Sequence, residues 1–84
     1  MIQIHYLASI REQLETAQEQ INLPDGVSNV GELISHLQAI NPKFDAAVTS
    51  NKKILVAVNQ TIVDRKHKLS KKDEVAFFPP MTGG

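Results

Sequence analysis

The chain has 84 residues, the length of one small domain, so we expect a single unit over residues 1–84 that is too small to hold an enzyme's own substrate cleft. Hydrophobic residues make up 42% and charged residues 21% of the sequence, which is typical of a folded domain and too apolar for a disordered tail. The absence of cysteine excludes disulfides, thiolate nucleophiles and cysteine-ligated zinc or iron–sulfur sites.

The charges balance overall but not along the chain. Nine Lys plus Arg offset nine Asp plus Glu, so no overall field attracts nucleic acid or a membrane. Residues 1–51 carry two basic and six acidic side chains, whereas residues 52–84 carry seven basic and three acidic ones, giving −4 and +4. The N-terminus has no secretory-signal pattern, and the longest aliphatic run, 54–58, is far shorter than the roughly 20 residues that span a bilayer. We therefore expect a cytoplasmic protein with no nucleic-acid or membrane partner.

The first half of the chain predicts two strands separated by a short helix. Ile2, Ile4 and Tyr6 alternate with other residues in the period-two pattern of a half-buried strand, over residues 2–7. Residues 8–14 follow as a short helix and residues 19–23 as a second strand. The turn sequence Pro24-Asp25-Gly26 ends that strand.

The clearest helix comes next, and both of its ends carry signals. Asn29 is a predicted N-cap with Glu32 three residues later, as in a capping box, and Asn41-Pro42 ends the helix. Apolar residues recur on one face with helical spacing: Val30, Leu33, Ile34, Leu37 and Ile40. Phe44, Ala47 and Val48 suggest another helical turn, followed by a polar loop over residues 49–53.

The second half predicts three strands, over residues 54–58, 61–63 and 75–78, with Asn59-Gln60 as a tight turn between the first two. The resulting fold class is α+β, with one main helix covering one face of the sheet. On the other face, alternation places an apolar patch of four residues, which marks a partner site: Leu7, Ile62, Ala76 and Phe78. The alternative is that the short helix over residues 8–14 covers this patch.

Conventional catalytic and metal-binding patterns are missing. His5, His36 and His67 share no ligand spacing, so we expect surface histidines and no metal site. The serines lack a nucleophile-elbow context, and no glycine-rich phosphate loop occurs. The basic run over residues 65–72 is most simply a solvated loop, with an acidic protein partner as the alternative; nucleic acid is disfavoured because no aromatic residue is interleaved.

The C-terminal segment, Phe77-Phe78-Pro79-Pro80-Met81-Thr82-Gly83-Gly84, is the most distinctive feature of the sequence. Diproline stops a strand at Phe78 and projects residues 79–84 as a tail. Glycines lack Cβ, so Gly83 and Gly84 can enter a slot too narrow for other residues. This arrangement predicts a handle whose reactive group is the carboxylate of Gly84.

Residues 56–61 (Val-Ala-Val-Asn-Gln-Thr), residues 73–80 (Asp-Glu-Val-Ala-Phe-Phe-Pro-Pro) and the Gly83-Gly84 pair closely resemble the family of small sulfur-carrier subunits of molybdopterin synthase. Arg11-Glu12 is a weaker match, and residues 13–53 agree only in pattern. This resemblance implies the β-grasp, or ubiquitin-like, fold, with a mixed sheet of four to five strands packed on one main helix.

The resemblance also implies a chemical cycle at Gly84. An E1-like adenylyltransferase uses ATP to adenylate the carboxylate, and a persulfide sulfur then displaces AMP to leave a C-terminal thiocarboxylate, or 1-thioglycine. The tail delivers this sulfur to cyclic pyranopterin monophosphate in the large subunit of a heterotetramer. Gly83, Pro79 and Pro80 provide tail access, while Leu7, Ile62 and Phe78 provide docking. No cofactor is bound permanently, and the chain itself has no catalytic side chains.

Three alternatives stay open at this point. The chain is also compatible with a thiamine-type sulfur carrier, although those chains are typically shorter and lack the Phe-Phe-Pro-Pro pattern. It is compatible with a ubiquitin-like modifier that forms isopeptide bonds through Gly84, and with an adaptor domain whose tail is inert.

Overall fold

The computed structural model describes residues 1–50 and 53–80. Its elements, in chain order, are β1 (Ile2–Tyr6), α1 (Ala8–Leu14), β2 (Gln18–Ile21), α2 (Val30–Ile40), α3 (Pro42–Ser50), β3 (Leu55–Val58), β4 (Thr61–Val63) and β5 (Glu74–Phe78).

The five strands form one mixed sheet in the order β2-β1-β5-β3-β4. The central pair, β1 and β5, is parallel, and the other three pairs are antiparallel. This confirms the predicted α+β class with a mixed sheet. Strand ends differ from prediction by one or two residues; β1 stops at Tyr6 because Leu7, still extended, becomes the N-cap of α1.

The core lies between one face of the sheet and the helices. Alternate residues of the central strands are fully buried there, including Ile4, Tyr6, Val75 and Phe77. Phe44 of α3 joins this layer, with ring centroids 5.2 Å from Phe77 and 6.2 Å from Tyr6. Three of the four aromatic residues in the chain therefore pack together in the core.

One buried polar group in this core needs a partner. The Tyr6 hydroxyl donates a hydrogen bond of 3.0 Å to Oε1 of Glu19 on the neighbouring strand β2. Burial, and then the nearby charge of Glu19, raises the pKa of Tyr6 well above its usual range. Tyr6 therefore stays a neutral donor across the physiological pH range.

Helix α2 begins as predicted at Asn29, whose Oδ1 accepts from the backbone N of Glu32 at 2.8 Å. The return bond of the capping box is shifted by one residue, because the Glu32 carboxylate accepts from the backbone N and the hydroxyl of Ser28. The two remaining N–H groups of the first turn donate to carbonyls of residues 65–72, which we call the basic segment: Val30 donates to His67 and Gly31 to Arg65. Every free N–H of this helix start is thus satisfied.

Helix α3 is longer than the predicted single turn. Asn41 ends α2 and also caps α3, since its Oδ1 accepts from the backbone N of Lys43 and of Phe44. Pro42 then occupies the first helical position, where a missing N–H costs nothing. The helix continues to Ser50, so the prediction of a polar loop from residue 49 is wrong at 49 and 50; a hydrogen bond from Gln13 of α1 to Ser50 holds the last turn.

Among the described residues, no helix is both long enough and apolar enough to cross a membrane.

Candidate functional site

The sheet face opposite the helices carries a row of side chains that crosses four strands. In register, Ile62 of β4 lies beside Ala57 of β3, Ala57 beside Ala76 of β5, and Ala76 beside His5 of β1. One step further along the strands, Leu55 lies beside Phe78. We call these six residues and Leu7 the open face. Its apolar members include all four residues that alternation assigned to one patch.

An apolar groove of about 310 Å³ lies at one corner of the open face, where the chain leaves the sheet. It is lined by Leu7 and Ala8 at the end of β1 and by Phe78, Pro79 and Pro80 at the end of β5. Leu7 is 43% exposed, whereas Phe78 and both prolines are half-buried. The structure therefore brings four of the predicted site residues together around the base of the tail.

The backbone fixes the geometry of this groove. The N–H of Leu7 donates to the carbonyl of Phe77 at 3.0 Å, which ties the end of β1 to the end of β5. Ala8 then turns the chain with a φ of 53°, a left-handed conformation that residues with a Cβ rarely adopt. This turn directs α1 toward the other side of the sheet. The buried side chains of α1, Ile10 and Leu14, belong to the hydrophobic core.

Because α1 packs in the core layer, the alternative in which it covers the patch is wrong. Ile62 is 63% exposed on the edge strand β4 and does not line the groove. It is linked to the groove only through the small side chains of Ala57 and Ala76 in the row described above. The open face is thus a mostly apolar surface, with small alanine side chains at its centre, Ile62 on one side and the groove residues Leu7 and Phe78 on the other.

The predicted tail lies only partly within the described residues. The last strand ends at Phe78, directly before Pro79-Pro80, as the diproline predicts. Gly83 and Gly84, the two residues assigned to access and chemistry, lie outside the described residues.

Asn59, which belongs to the motif that carries the resemblance, has a structural role at the opposite end of β5. Asn59 and Gln60 both have positive φ, 50° and 70°, as a tight hairpin turn requires. The Asn59 amide also accepts from the backbone N of Glu74 at 3.1 Å and donates to Asp73 at 3.0 Å. These bonds join the β3–β4 turn to the start of β5, which holds the open face in register.

His5 and Glu74 form the one close pair of a histidine and a carboxylate on this sheet face that the described residues show. Nε2 of His5 lies 3.3 Å from Oε2 of Glu74, and the two side chains are 28% and 42% exposed. Nε2 is itself buried and lacks a hydrogen bond of acceptable geometry. The sequence predicts a surface or edge histidine without a metal role, and the structure places His5 on the open face, with its side chain 28% exposed. The pair depends on the parallel register of β1 and β5. His5 and Glu74 are 69 positions apart in the sequence, so the sequence pattern does not predict that they lie together.

The basic segment 65–72 wraps around the start of α2. Carbonyls of Arg65 and His67 accept from α2, Leu69 is buried as an anchor, and the lysines are exposed. Contact with an acidic partner through this segment stays a prediction. Within residues 1–50 and 53–80, no group of three potential metal ligands comes together.

A model of the ThiS family matches residues 4–84. The chain belongs to the ThiS family. Its curated relatives include the molybdopterin synthase sulfur carrier subunit of Escherichia coli K12, which is 38% identical over 84 residues and covers all of both chains. The protein of the same name from Haemophilus influenzae is 33% identical, again over the whole of both chains.

Two solved structures have the same fold as this chain. A putative molybdopterin converting factor subunit 1 from Pyrococcus furiosus superimposes with a TM-score of 0.75 at 27% identity, over 95% of this chain and 97% of that one. SAMP1 from Haloferax volcanii gives a TM-score of 0.79 at 23% identity, over 99% and 98%. The ThiS-family chain therefore has the β-grasp fold that the resemblance implied.

Proposed function

We propose that this chain is the sulfur carrier subunit of a molybdopterin synthase. The observation that carries the proposal is the full-length similarity to sulfur carrier subunits of that enzyme, at 38% and 33% identity. The apolar groove at the base of a Gly-Gly tail supports it, because a carrier needs a docking surface beside its reactive end.

In the proposed cycle the carboxylate of Gly84 is the reactive group. Its oxygen attacks the α-phosphate of ATP on an E1-like adenylyltransferase, releasing pyrophosphate and forming an acyl adenylate. The terminal sulfur of a persulfide then attacks that acyl carbon and displaces AMP, which gives an acyl disulfide. A thiol of the sulfur-donating protein attacks the other sulfur of this disulfide, so that a thiocarboxylate is released on Gly84 and a new disulfide is left on the donor. This sulfur passes to cyclic pyranopterin monophosphate, and two loaded carriers serve each dithiolene because a dithiolene contains two sulfur atoms.

The side chains of this protein act in docking rather than in bond making. Leu7, Phe78 and Ile62 contact the large subunit, Pro79 and Pro80 direct the tail, and Gly83 lets it enter a narrow site. Acid–base and substrate-binding groups belong to the large subunit, so this chain is a protein cosubstrate in a heterotetramer of two small and two large subunits. We also propose a cytoplasmic location, because activation of Gly84 requires ATP.

Extension of the tail tests this proposal most simply. Adding one alanine after Gly84, or replacing Gly84 by alanine, moves or crowds the reacting carbon in its slot. We expect both variants to lose sulfur transfer to the pyranopterin when assayed with the adenylyltransferase, a persulfide donor and the large subunit. The matched control adds one alanine after Met1, and it should transfer sulfur at the normal rate. Retained transfer by the variant extended after Gly84 would contradict the proposal.

A further inference from the structure

One feature at the open face is not needed by a purely apolar docking surface: His5, a member of that face, is paired with the neighbouring Glu74. The pair is next to Ala76, since His5 lies beside Ala76 in register and Glu74 is two residues earlier on the same strand face. Any partner that covers Ala76 and Phe78 therefore removes water from around this pair. The inference that follows rests on the proposed function, since it concerns docking of the same face.

The surroundings of His5 leave Glu74 as its one charged neighbour among the described residues. From β2, Gln18 lies directly beside His5, and from β5 the direct neighbour is Ala76. On β1 itself the residues of the same face are Gln3 and Leu7. The acidic residue nearest in sequence on β2, Glu19, is turned to the other face, where it accepts from Tyr6.

The free protein leaves this pair incompletely satisfied. Nε2 of His5 is already buried and makes no hydrogen bond of acceptable geometry, although Oε2 of Glu74 is only 3.3 Å away. The Glu74 carboxylate is accessible to water in the free protein, because its side chain is 42% exposed. Covering the face removes that water, and a buried carboxylate without a compensating cation is strongly disfavoured.

We propose that docking of the large subunit is coupled to uptake of one proton by His5, so that the covered pair is an imidazolium and a carboxylate. The proton comes from the buffer and is held on Nε2, which then donates a charge-assisted hydrogen bond to Glu74. A neutral imidazole leaves the carboxylate of Glu74 uncompensated under the partner. By linkage, affinity for the large subunit is highest at mildly acid pH and falls as the pH rises through the range in which histidine titrates.

The test is calorimetric titration of the intact protein with the large subunit of the same organism, between pH 6 and pH 8, in buffers of different ionisation heat. We expect the dissociation constant to rise by about tenfold across this range, which is within the roughly hundredfold limit that one coupled proton sets over two pH units. The dependence of the binding heat on the buffer should show net proton uptake.

Variants assign this effect to His5 rather than to groups on the partner. His5→Gln keeps a donor but cannot take up a proton, and Glu74→Gln removes the charge that favours the imidazolium. Both should bind with a reduced pH slope and reduced proton uptake. His36→Gln, at a half-buried histidine on α2, is the matched control and should keep the full slope. Glu74→Gln also keeps the test decisive if His5→Gln fails to fold.

Three further outcomes would each overturn the coupling. A folded His5→Gln protein that binds with the wild-type pH slope overturns the coupling while leaving the proposed function intact. An affinity that rises with pH overturns it as well, and indicates that a cation of the partner pairs with Glu74. If the wild-type protein binds the large subunit at no pH, both the proposed function and this coupling fail.

Discussion

Phe78 is a large aromatic residue that lies outside the hydrophobic core, so its position is not explained by stabilisation of the fold alone. The chain has four aromatic residues, and the other three form the stacked and edge-on contacts of the core. Phe78 instead lies on the open face, half-buried against the base of the tail. Large aromatic side chains in such positions commonly carry a disproportionate share of binding energy.

We therefore predict that Phe78→Ala weakens binding to the large subunit by more than about 1 kcal/mol, or roughly fivefold, in a direct titration. The control is Ile40→Ala, which removes a side chain that is 60% exposed at the end of α2. It should leave the affinity unchanged, and thermal unfolding should show that both variants are folded. Equal affinities for Phe78→Ala and the wild type would remove Phe78 from the interface.

For single residues, the sequence predicted which face of the sheet a side chain lies on, but it did not predict which residues of other strands lie beside it. Period-two alternation correctly placed Leu7, Ile62 and Phe78 on one face, because the side chains of a strand alternate regardless of which strand lies beside it. The groove and the His5–Glu74 pair were not predictable in this way. They depend on the parallel pairing of β1 with β5, and the two strands are far apart in the sequence.

At the scale of elements, the start of α2 shows how local signals and distant contacts combine. The Asn29 cap was predicted from the sequence, and the structure adds carbonyls of the basic segment that accept from Val30 and Gly31. Gly31 is suited to this contact, since a Cβ there would lie 3.3 Å from the carbonyl oxygen of Arg65. The helix and the basic segment therefore support each other.

We predict that Asn29→Ala lowers the free energy of unfolding by about 1 kcal/mol, because the backbone N of Glu32 loses its acceptor. Chemical denaturation of the two proteins measures this difference. Ser35→Ala, at an exposed position in the same helix, is the matched control and should change stability by less than about 0.5 kcal/mol. Similar losses in both variants would show that the Asn29 cap does not stabilise the helix.

Glu32 adds a pH dependence to the same helix start. Hydrogen bonds from the backbone N and then the hydroxyl of Ser28 hold the pKa of its carboxyl below the ordinary value. A carboxyl with a lowered pKa in the folded state stabilises the fold above its unfolded pKa, and this contribution is lost as the pH falls through the folded pKa.

The expected result is that Glu32→Gln is less stable than the wild type at neutral pH and that the difference shrinks under acid conditions. Denaturation curves at several pH values measure it, with Glu12→Gln as a control at another exposed glutamate. A stability difference that is constant with pH would contradict a role for the charged carboxylate.

Helix α3 is an element whose length the sequence did not predict correctly. Its apolar positions were recognised, but its length was underestimated because Thr49 and Ser50 are polar and resemble a loop in isolation. The last turn is held by the hydrogen bond from Gln13 of α1, a contact that becomes visible only once the helices are packed. Local propensity is overridden by tertiary contact in this case.

For the molecule as a whole, the absence of cysteine defines the type of sulfur chemistry that the proposal allows. Because the chain has no thiol, the proposed function places the sulfur on the main-chain carboxylate of Gly84. The hydrophobic core lies on one side of the sheet, and the helices leave the other side uncovered. The −4 and +4 charges of the two halves of the chain meet at the start of α2, where Asp25 and Glu32 line one surface pocket together with Arg65 and Lys66.

The central claim is that Gly84 carries sulfur, and the intact mass of the protein isolated from cells making molybdenum cofactor tests it most directly. Replacing one oxygen of the terminal carboxylate by sulfur adds about 16 Da, and fragmentation should locate this mass on the last residue. We predict this species, and its loss in cells that lack the adenylyltransferase. A protein found only as the free acid in such cells would contradict the account in favour of an inert adaptor, and a protein found joined through Gly84 to lysines of other proteins would contradict it in favour of a modifier.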